Sequence, residues 1–215
     1  FTFDGKKYSG FEEDTLASAL IRNSVFLVGR SFKYHRPRGV ISAGNEEPNA
    51  IVQLESGNIT EPNARATEIE IYEGLNATSQ NNWPTLNFDF GSINDLVSRF
   101  IPAGFYYKTF MWPKSFWYKI YEPFIRKAAG FGVVSTNHDQ ERYEHKYEYC
   151  DLLITGSGPS GLASAYAAAQ NGAKVILAED KPRFGGSLLT SEVSIGNQSG
   201  QEWSENIISE LKSMP

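Results

Sequence analysis

Apolar and polar positions along the chain fall into three regimes. The first opens with Phe1-Thr2-Phe3, turns at Asp4-Gly5 and returns through Lys6 to Phe11, the pattern of a β-hairpin with a type I′ turn. Asp14 or Thr15 then caps a short helix whose apolar positions are Leu16, Ala17, Ala19, Leu20 and Ile21. Strands are expected at Ala50–Leu54 and at Thr67–Ile71, where apolar and polar residues alternate. A hairpin, one helix and returning strands predict a small β-grasp domain over residues 1–75. From 76 to 149 no period holds. Pro84, Pro102, Pro113 and Pro123 interrupt the segment, which predicts short helices and extended connections. The third regime, 150–215, is clean. Cys150–Thr155 reads as a buried strand, Leu162–Asn171 as an Ala-rich helix ended by Gly172, and Lys174–Ala178 as a second strand. A helix at Trp203–Met214 follows. No third parallel strand is legible, so this reads as the first part of a Rossmann-type domain and the chain as a piece of a longer protein. Its start without Met points the same way.

The fold class is therefore α/β, and composition narrows what it can do. The 215 residues are 40% hydrophobic and 21% charged, with a net charge of −5 and a pI near 5.3. That balance excludes disordered and fibrous classes, and the absence of a dominant basic face argues against nucleic acid. No run approaches the ~18 apolar residues of a membrane span. One cysteine, Cys150, excludes an internal disulfide and a thiolate-held iron–sulfur cluster. His35, His138 and His145 lack metal-ligand spacing, so no metal site is expected. A reducing, cytoplasmic setting fits. Aromatic residues are uneven: 18 of 29 lie between 76 and 150. They pack between flanking domains, or they form a surface covered by a partner chain, and both readings stay open.

One motif carries chemistry. Strand Cys150–Thr155 runs into Gly156-Ser157-Gly158-Pro159-Ser160-Gly161, a helix, a second strand and then Glu179-Asp180, which is the dinucleotide-binding fingerprint in its required context. Gly156 permits the tight turn. Gly158 lets backbone approach a pyrophosphate, and Gly161 lets the helix pack on the sheet. Pro159 and Ser160 open a helix whose free amides and positive dipole end suit phosphate. Glu179 is placed to accept from ribose hydroxyls, and an acid there repels a 2′-phosphate, favouring NAD or FAD over NADP. Asp180, Lys181 and the Gly185-Gly186-Ser187 turn complete the expected cofactor-binding set, the last being the position where flavoproteins contact a diphosphate. A second candidate is the basic run Arg30, Lys33, Arg36 and Arg38, with His35. It reads as a solvated face paired with acids such as Glu46 and Glu47, as a contact with a neighbouring subunit, or as a phosphate site.

With these residues in view the chain resembles the alpha subunit of heterotetrameric sarcosine oxidases. The carrying stretches are Arg30-Ser31-Phe32-Lys33-Tyr34-His35-Arg36-Pro37-Arg38-Gly39, Glu46-Glu47-Pro48-Asn49-Ala50, Ser79-Gln80-Asn81-Asn82-Trp83-Pro84, the run from Pro102 to Pro113, and the Gly156 fingerprint. The resemblance implies a subunit of an enzyme that demethylates sarcosine to glycine. The one-carbon unit leaves as formaldehyde or methylenetetrahydrofolate, and oxygen becomes hydrogen peroxide. It implies NAD on this chain (FAD being the alternative), with FAD and FMN in the assembled complex with beta, gamma and delta subunits. No catalytic residue is then expected here. Cluster-bearing relatives of the ferredoxin-like domain carry cysteines in the region of residues 38–49, which here reads RGVISAGNEEPN, so a cluster-free domain is expected. The alternatives are an FAD-binding subunit of the opine dehydrogenase or cyanide synthase type, and a non-catalytic assembly scaffold.

Overall fold

The computed structural model describes residues 1–56, 59–101, 104, 110, 112–138 and 142–214. They form two compact units, residues 1–140 and 141–215. In the first unit, β1 (Thr2–Phe3) and β2 (Lys6–Lys7) pair antiparallel across Asp4 and Gly5. Both turn residues have positive φ (48° and 76°), as a type I′ turn requires. The Asp4 carboxylate also accepts from Ser79 N (2.7 Å) and Ser79 Oγ (2.8 Å), anchoring the hairpin tip. Helix α1 (Leu16–Arg22) starts at Thr15, whose side chain accepts from Ser18 N. The neighbouring Asp14 accepts from Phe11 N and Ser18 Oγ and pairs with Arg22.

Two short strands, β3 (Gly29–Arg30) and β4 (Pro37–Arg38), make a separate hairpin. The main sheet is completed by β5 (Ile51–Ser56), β6 (Ile59–Arg65) and β7 (Asn76–Ser79). Among the described residues its order is β2-β1-β7-β5-β6, with β1 and β7 parallel and the other neighbours antiparallel. The mixed sheet and the single helix form the expected β-grasp arrangement. Leu16, Ala17 and Leu20 pack from α1 onto Phe3, Val52, Ala64, Leu75 and Ala77, all buried. Each fully buried leucine or valine contributes about 1.5–3 kcal/mol.

Two expectations fail here. Residues 66–68 form a turn, and of the expected strand at Thr67–Ile71 only Glu70 bridges to Thr15. The strand lies earlier, in β6, whose sequence Ile-Thr-Glu-Pro-Asn-Ala-Arg is too polar to announce itself. It sits at the sheet edge, where Pro62 and exposed polar side chains are tolerated. The second difference is the boundary at residue 75: β7 follows it and is inserted between β1 and β5, so the sheet runs on to Ser79.

Beyond the sheet, α2 (Ile93–Leu96) and α3 (Glu122–Ala128) are short; 3-10 turns lie at Ser98–Phe100 and Lys114–Phe116, and a π-helical turn, Trp117–Tyr121, leads into α3. Val133 meets the sheet through Gln53 and Thr60. Large side chains stand open along this stretch, among them Phe100 (82% exposed), Trp112 (83%) and Tyr118 (83%). Phe105, Tyr106, Tyr107 and Met111 fall outside the described residues.

The second unit is built on β8 (Leu152–Thr155) and β9 (Val175–Ala178), paired parallel through the crossover helix α4 (Pro159–Gln170). The hairpin β10 (Ser194–Ile195) and β11 (Gln198–Ser199) leads into α5 (Gly200–Ser213). Ser199 and Glu202 form a reciprocal capping box at the start of α5. Leu162 from α4 and Ile207 from α5 meet Leu188, with Tyr166, Leu177, Trp203 and Leu211 around them. Leu152 and Leu153 of β8 remain 37% and 59% exposed. Among the described residues of the chain, no helix is long and apolar enough to cross a membrane.

Candidate functional site

The glycine turn between β8 and α4 has the geometry its sequence requires. Gly156 leaves the strand at φ +92°, a conformation that a Cβ would strain. A Cβ built on Gly161 would strike the Gly156 carbonyl oxygen, so only glycine lets α4 lie this close to β8. Gly158 is the N-cap of α4, extended, with Pro159 in the first turn. The amides of Ser160 and Gly161 follow, and first-turn amides have no carbonyl partner within a helix. A Cβ on Gly156 or Gly158 would meet nothing within 4 Å. The face of the turn is therefore open, as a phosphate-sized group needs.

Glu179 follows directly on β9 and reaches back to this turn. Its Oε2 accepts from Ser157 N (2.7 Å) and Ser157 Oγ (2.5 Å), and its Oε1 accepts from Asp180 N (3.0 Å) and Lys181 N (3.1 Å). Partial burial opposes the charge. The bonds from Ser157, Lys181 and Asp180 outweigh it and lower the carboxyl from 4.5 to about 2. The acid is thus ionised at neutral pH.

Ser157, fully buried, is the residue that sequence reasoning passed over. Besides holding Glu179, its carbonyl and hydroxyl both accept from Gly185 N (3.1 and 3.2 Å). This brings the second glycine turn against the first: a Cβ on Gly186 would come within 2.9 Å of Gly158 Cα. Gly185 and Gly186 have φ of +127° and +53°. The only signal in the sequence was a small hydroxyl residue between the two glycines. Of the expected set, Gly156, Gly158, Pro159, Ser160, Gly161, Glu179, Gly185 and Gly186 converge on one turn. Ser187 is the second residue of the following 3-10 turn (Gly186–Leu189), and its carbonyl accepts from Ser191. The Asp180 side chain points outward, 82% exposed, and lies 3.4 Å from Lys181 Nζ.

The basic run of the first unit is a different matter. Glu47 does not pair with it. Its carboxylate, in a residue only 1% exposed, accepts from the amides of Ile41, Ser42, Asn49 and Ala50. Arg36 instead pairs with Asp95, and the Arg30 guanidinium donates to the carbonyls of Leu86 and His35.

Residues 151–213 match the family of FAD dependent oxidoreductases, and residues 1–82 match a 2Fe-2S iron-sulfur cluster binding domain. These matches overturn the cofactor expectation. The fingerprint alone does not separate NAD from FAD, since both carry the same adenosine diphosphate half, and the matched family is one of FAD enzymes. The expectation of a cluster-free first unit is likewise contradicted, because its sequence matches a 2Fe-2S iron-sulfur cluster binding domain. The residues now present do not fit a thiolate-held cluster, which takes about four cysteines. Residues 1–82 contain none. Among the described residues of the chain, no three or more His, Cys, Asp or Glu side chains are grouped to hold a metal.

Among solved structures, L-proline dehydrogenase from P. horikoshii shares the fold, with a TM-score of 0.51 at 16% identity over 97% of this chain and 30% of that one. The alpha subunit of sarcosine oxidase from Rhizobium meliloti (strain 1021) is 54% identical over all 215 residues, which amount to 22% of that protein. The corresponding subunit from Corynebacterium sp. (strain U-96) is 30% identical over 98% of this chain and 17% of its own length. From end to end, then, the chain is homologous to a segment of sarcosine oxidase alpha subunits, spanning about a fifth of their length.

Proposed function

We propose that the turn between β8 and α4 holds the adenosine diphosphate half of flavin adenine dinucleotide, and that the chain serves in a multi-subunit flavoenzyme oxidising sarcosine. The observation that carries this reading is the three-way junction at Ser157. One buried residue there fixes the carboxylate at the end of β9 and the second glycine turn around an open helix N-terminus.

Each group has a task in that reading. The amides of Ser160 and Gly161 meet phosphate oxygens, helped by the positive end of α4. Gly158 leaves room for the diphosphate, and Gly186 backs it. Glu179 takes the adenine ribose. Both of its oxygens already receive two donors, which nearly exhausts a carboxylate's acceptor sites. The ribose hydroxyls therefore replace the longer bonds from Asp180 and Lys181, while Ser157 keeps the carboxylate in position. The flavin, when bound, supplies the acceptor for the two electrons leaving the amine. Nothing in this site is a base or nucleophile aimed at substrate, so the groups that orient sarcosine and move its protons are assigned to the rest of the assembly. Oxidative demethylation would yield glycine, with the one-carbon unit leaving as formaldehyde or passing to tetrahydrofolate. The exposed Trp112, Phe100 and Tyr118 are of the types that interface cores favour, and partner subunits would cover them. A cytoplasmic setting goes with this reading.

The test is to purify the protein with its partner chains, denature it, and identify released nucleotides by mass and absorbance. The wild type should release FAD, and a Gly158→Val variant should release at least tenfold less of it. Release of a dinucleotide lacking a flavin, or equal FAD from the variant, overturns the assignment.

A further inference from the structure

A cleft of about 750 Å³ in the first unit is lined by Arg30, Lys33, Arg36, Arg38 and Arg65, and no carboxylate is among its described lining residues. For a chain of net charge −5, this is a local reversal of sign. Some of the charge is answered nearby. Arg36 pairs with Asp95 at 2.7 Å, Arg65 sits a loose 3.7 Å from Glu68, and Arg30 Nε lies 3.9 Å from Asp89. The hydrogen bonds that hold the Arg30 guanidinium are to the neutral carbonyls of Leu86, Asn87 and His35, with the buried Asp89 carboxylate further off. Among the described residues neither the Arg38 side chain nor the side-chain carboxamide of Asn49, both on the lining, makes a hydrogen bond or ion pair. The cleft also contains an apolar element: the rings of Phe32 and Phe131 lie 5.8 Å apart, and both side chains are more than half exposed.

We infer that this cleft is a second binding site, for a small phosphorylated molecule whose dianionic phosphate meets Arg38 and Arg65 and whose planar part lies on Phe32 and Phe131. Arginine forks match the oxygens of a phosphate two at a time, which lysines and amides do not. A monocarboxylate would leave most of this positive field unanswered, so the dianion is preferred. A merely solvated basic face would not pin one arginine to three backbone carbonyls, nor set two phenyl rings beside the charge. The site is independent of the glycine turn, which belongs to the other unit.

Phenyl phosphate, inorganic phosphate and benzoate, titrated calorimetrically into the protein with its partner chains, separate the contributions of charge and ring. Phenyl phosphate should bind at least tenfold more tightly than benzoate and more tightly than inorganic phosphate, and its affinity should fall as salt rises. Arg38→Gln with Arg65→Gln should weaken phenyl phosphate at least tenfold, and Arg38→Lys should fall between. Both arginines are solvent-accessible, and an unchanged circular dichroism spectrum would show that the variants fold. Binding that survives the double substitution would lie at the glycine turn or elsewhere and would overturn the proposal. So would equal affinity for benzoate, or no saturable binding of phenyl phosphate. A poly-glutamate peptide that binds through Arg38 when phenyl phosphate does not would make this face an acidic-protein contact and refute the small-molecule site.

Discussion

Replacing Glu179 by Gln tests whether the carboxylate at the end of β9 holds the two glycine turns together. The substitution keeps the shape of the side chain and removes its charge. An amide nitrogen then faces either Ser157 or the Asp180 and Lys181 amides, where only an acceptor fits. The fall from 4.5 to about 2 corresponds to at most about 3–4 kcal/mol at 1.36 kcal/mol per pH unit. Solvent reaches one edge of the group, which reduces the usable part to about 1–2 kcal/mol. A carboxyl with a depressed folded value contributes its full stability above its unfolded value, near 4.5, and loses it as pH falls from there toward 2. Hydrogen exchange at the amides of β8 and the first turn of α4, corrected for intrinsic rates, reads this locally. At pH 7 the variant should open more easily by about 1–2 kcal/mol, and the gap should narrow progressively below pH 4.5. A gap that stays constant from pH 7 to pH 3.5 would show that the lost interaction is not that of an ionised carboxylate. No gap at all would remove Glu179 from the junction.

Other parts of the fold give further expectations. Gly161→Ala puts a methyl group against the Gly156 carbonyl oxygen and should cost about 1–3 kcal/mol in urea unfolding of the second unit; a loss below about 0.5 kcal/mol would mean that α4 can move off the strand. Glu47→Gln takes the acceptor from two of the four backbone amides it serves in a buried site and sets an NH2 against them, so protection of residues 41–50 should fall by about 2–3 kcal/mol, and full protection would refute the role given to that carboxylate. The Asp14 carboxyl is held low chiefly by the Phe11 amide, with Ser18 and Arg22 assisting against burial. Its contribution should therefore be complete above pH 3.8 and lost progressively as pH falls below it, so Asp14→Asn should unfold about 1 kcal/mol more easily at pH 7, with the difference narrowing below pH 3.8.

What could be read from the sequence was whatever is fixed within a few residues. The Asp4-Gly5 turn, the Thr15 cap and the glycine fingerprint each impose a backbone conformation through their own atoms, and each is where it was expected. The β6 strand was not legible, because an edge strand is held by ladder bonds to β5 and needs no apolar alternation to mark it. Asn76–Ser79 was missed for a related reason: four residues too polar to suggest a core strand are placed there by pairing with β1 and β5 on either side. The expected strand at Thr67–Ile71 shows the converse, since its alternation is satisfied by Ile69 and Ile71 packing on the core from an irregular segment after the turn. Ser157 illustrates the limit within the site itself. Its hydroxyl matters because Glu179 and Gly185, both more than twenty residues later, are folded onto it.

Cofactor identity was hidden by a deeper ambiguity. The fingerprint recognises a diphosphate and a ribose, which NAD and FAD share, and the part that differs extends away from these residues. The same reasoning applies to the apolar surface. Leu152 and Leu153 stand exposed on β8, a strand whose type is ordinarily covered on both faces and flanked by further parallel strands. Trp112 and Tyr118 are still more exposed in the first unit. A chain that leaves a parallel strand and its largest aromatic side chains uncovered has its lowest free energy with something packed on them. The homology to one segment of a much longer subunit gives that inference its physical form: the same side chains that look misplaced on this chain are the ones on which further protein is expected to rest.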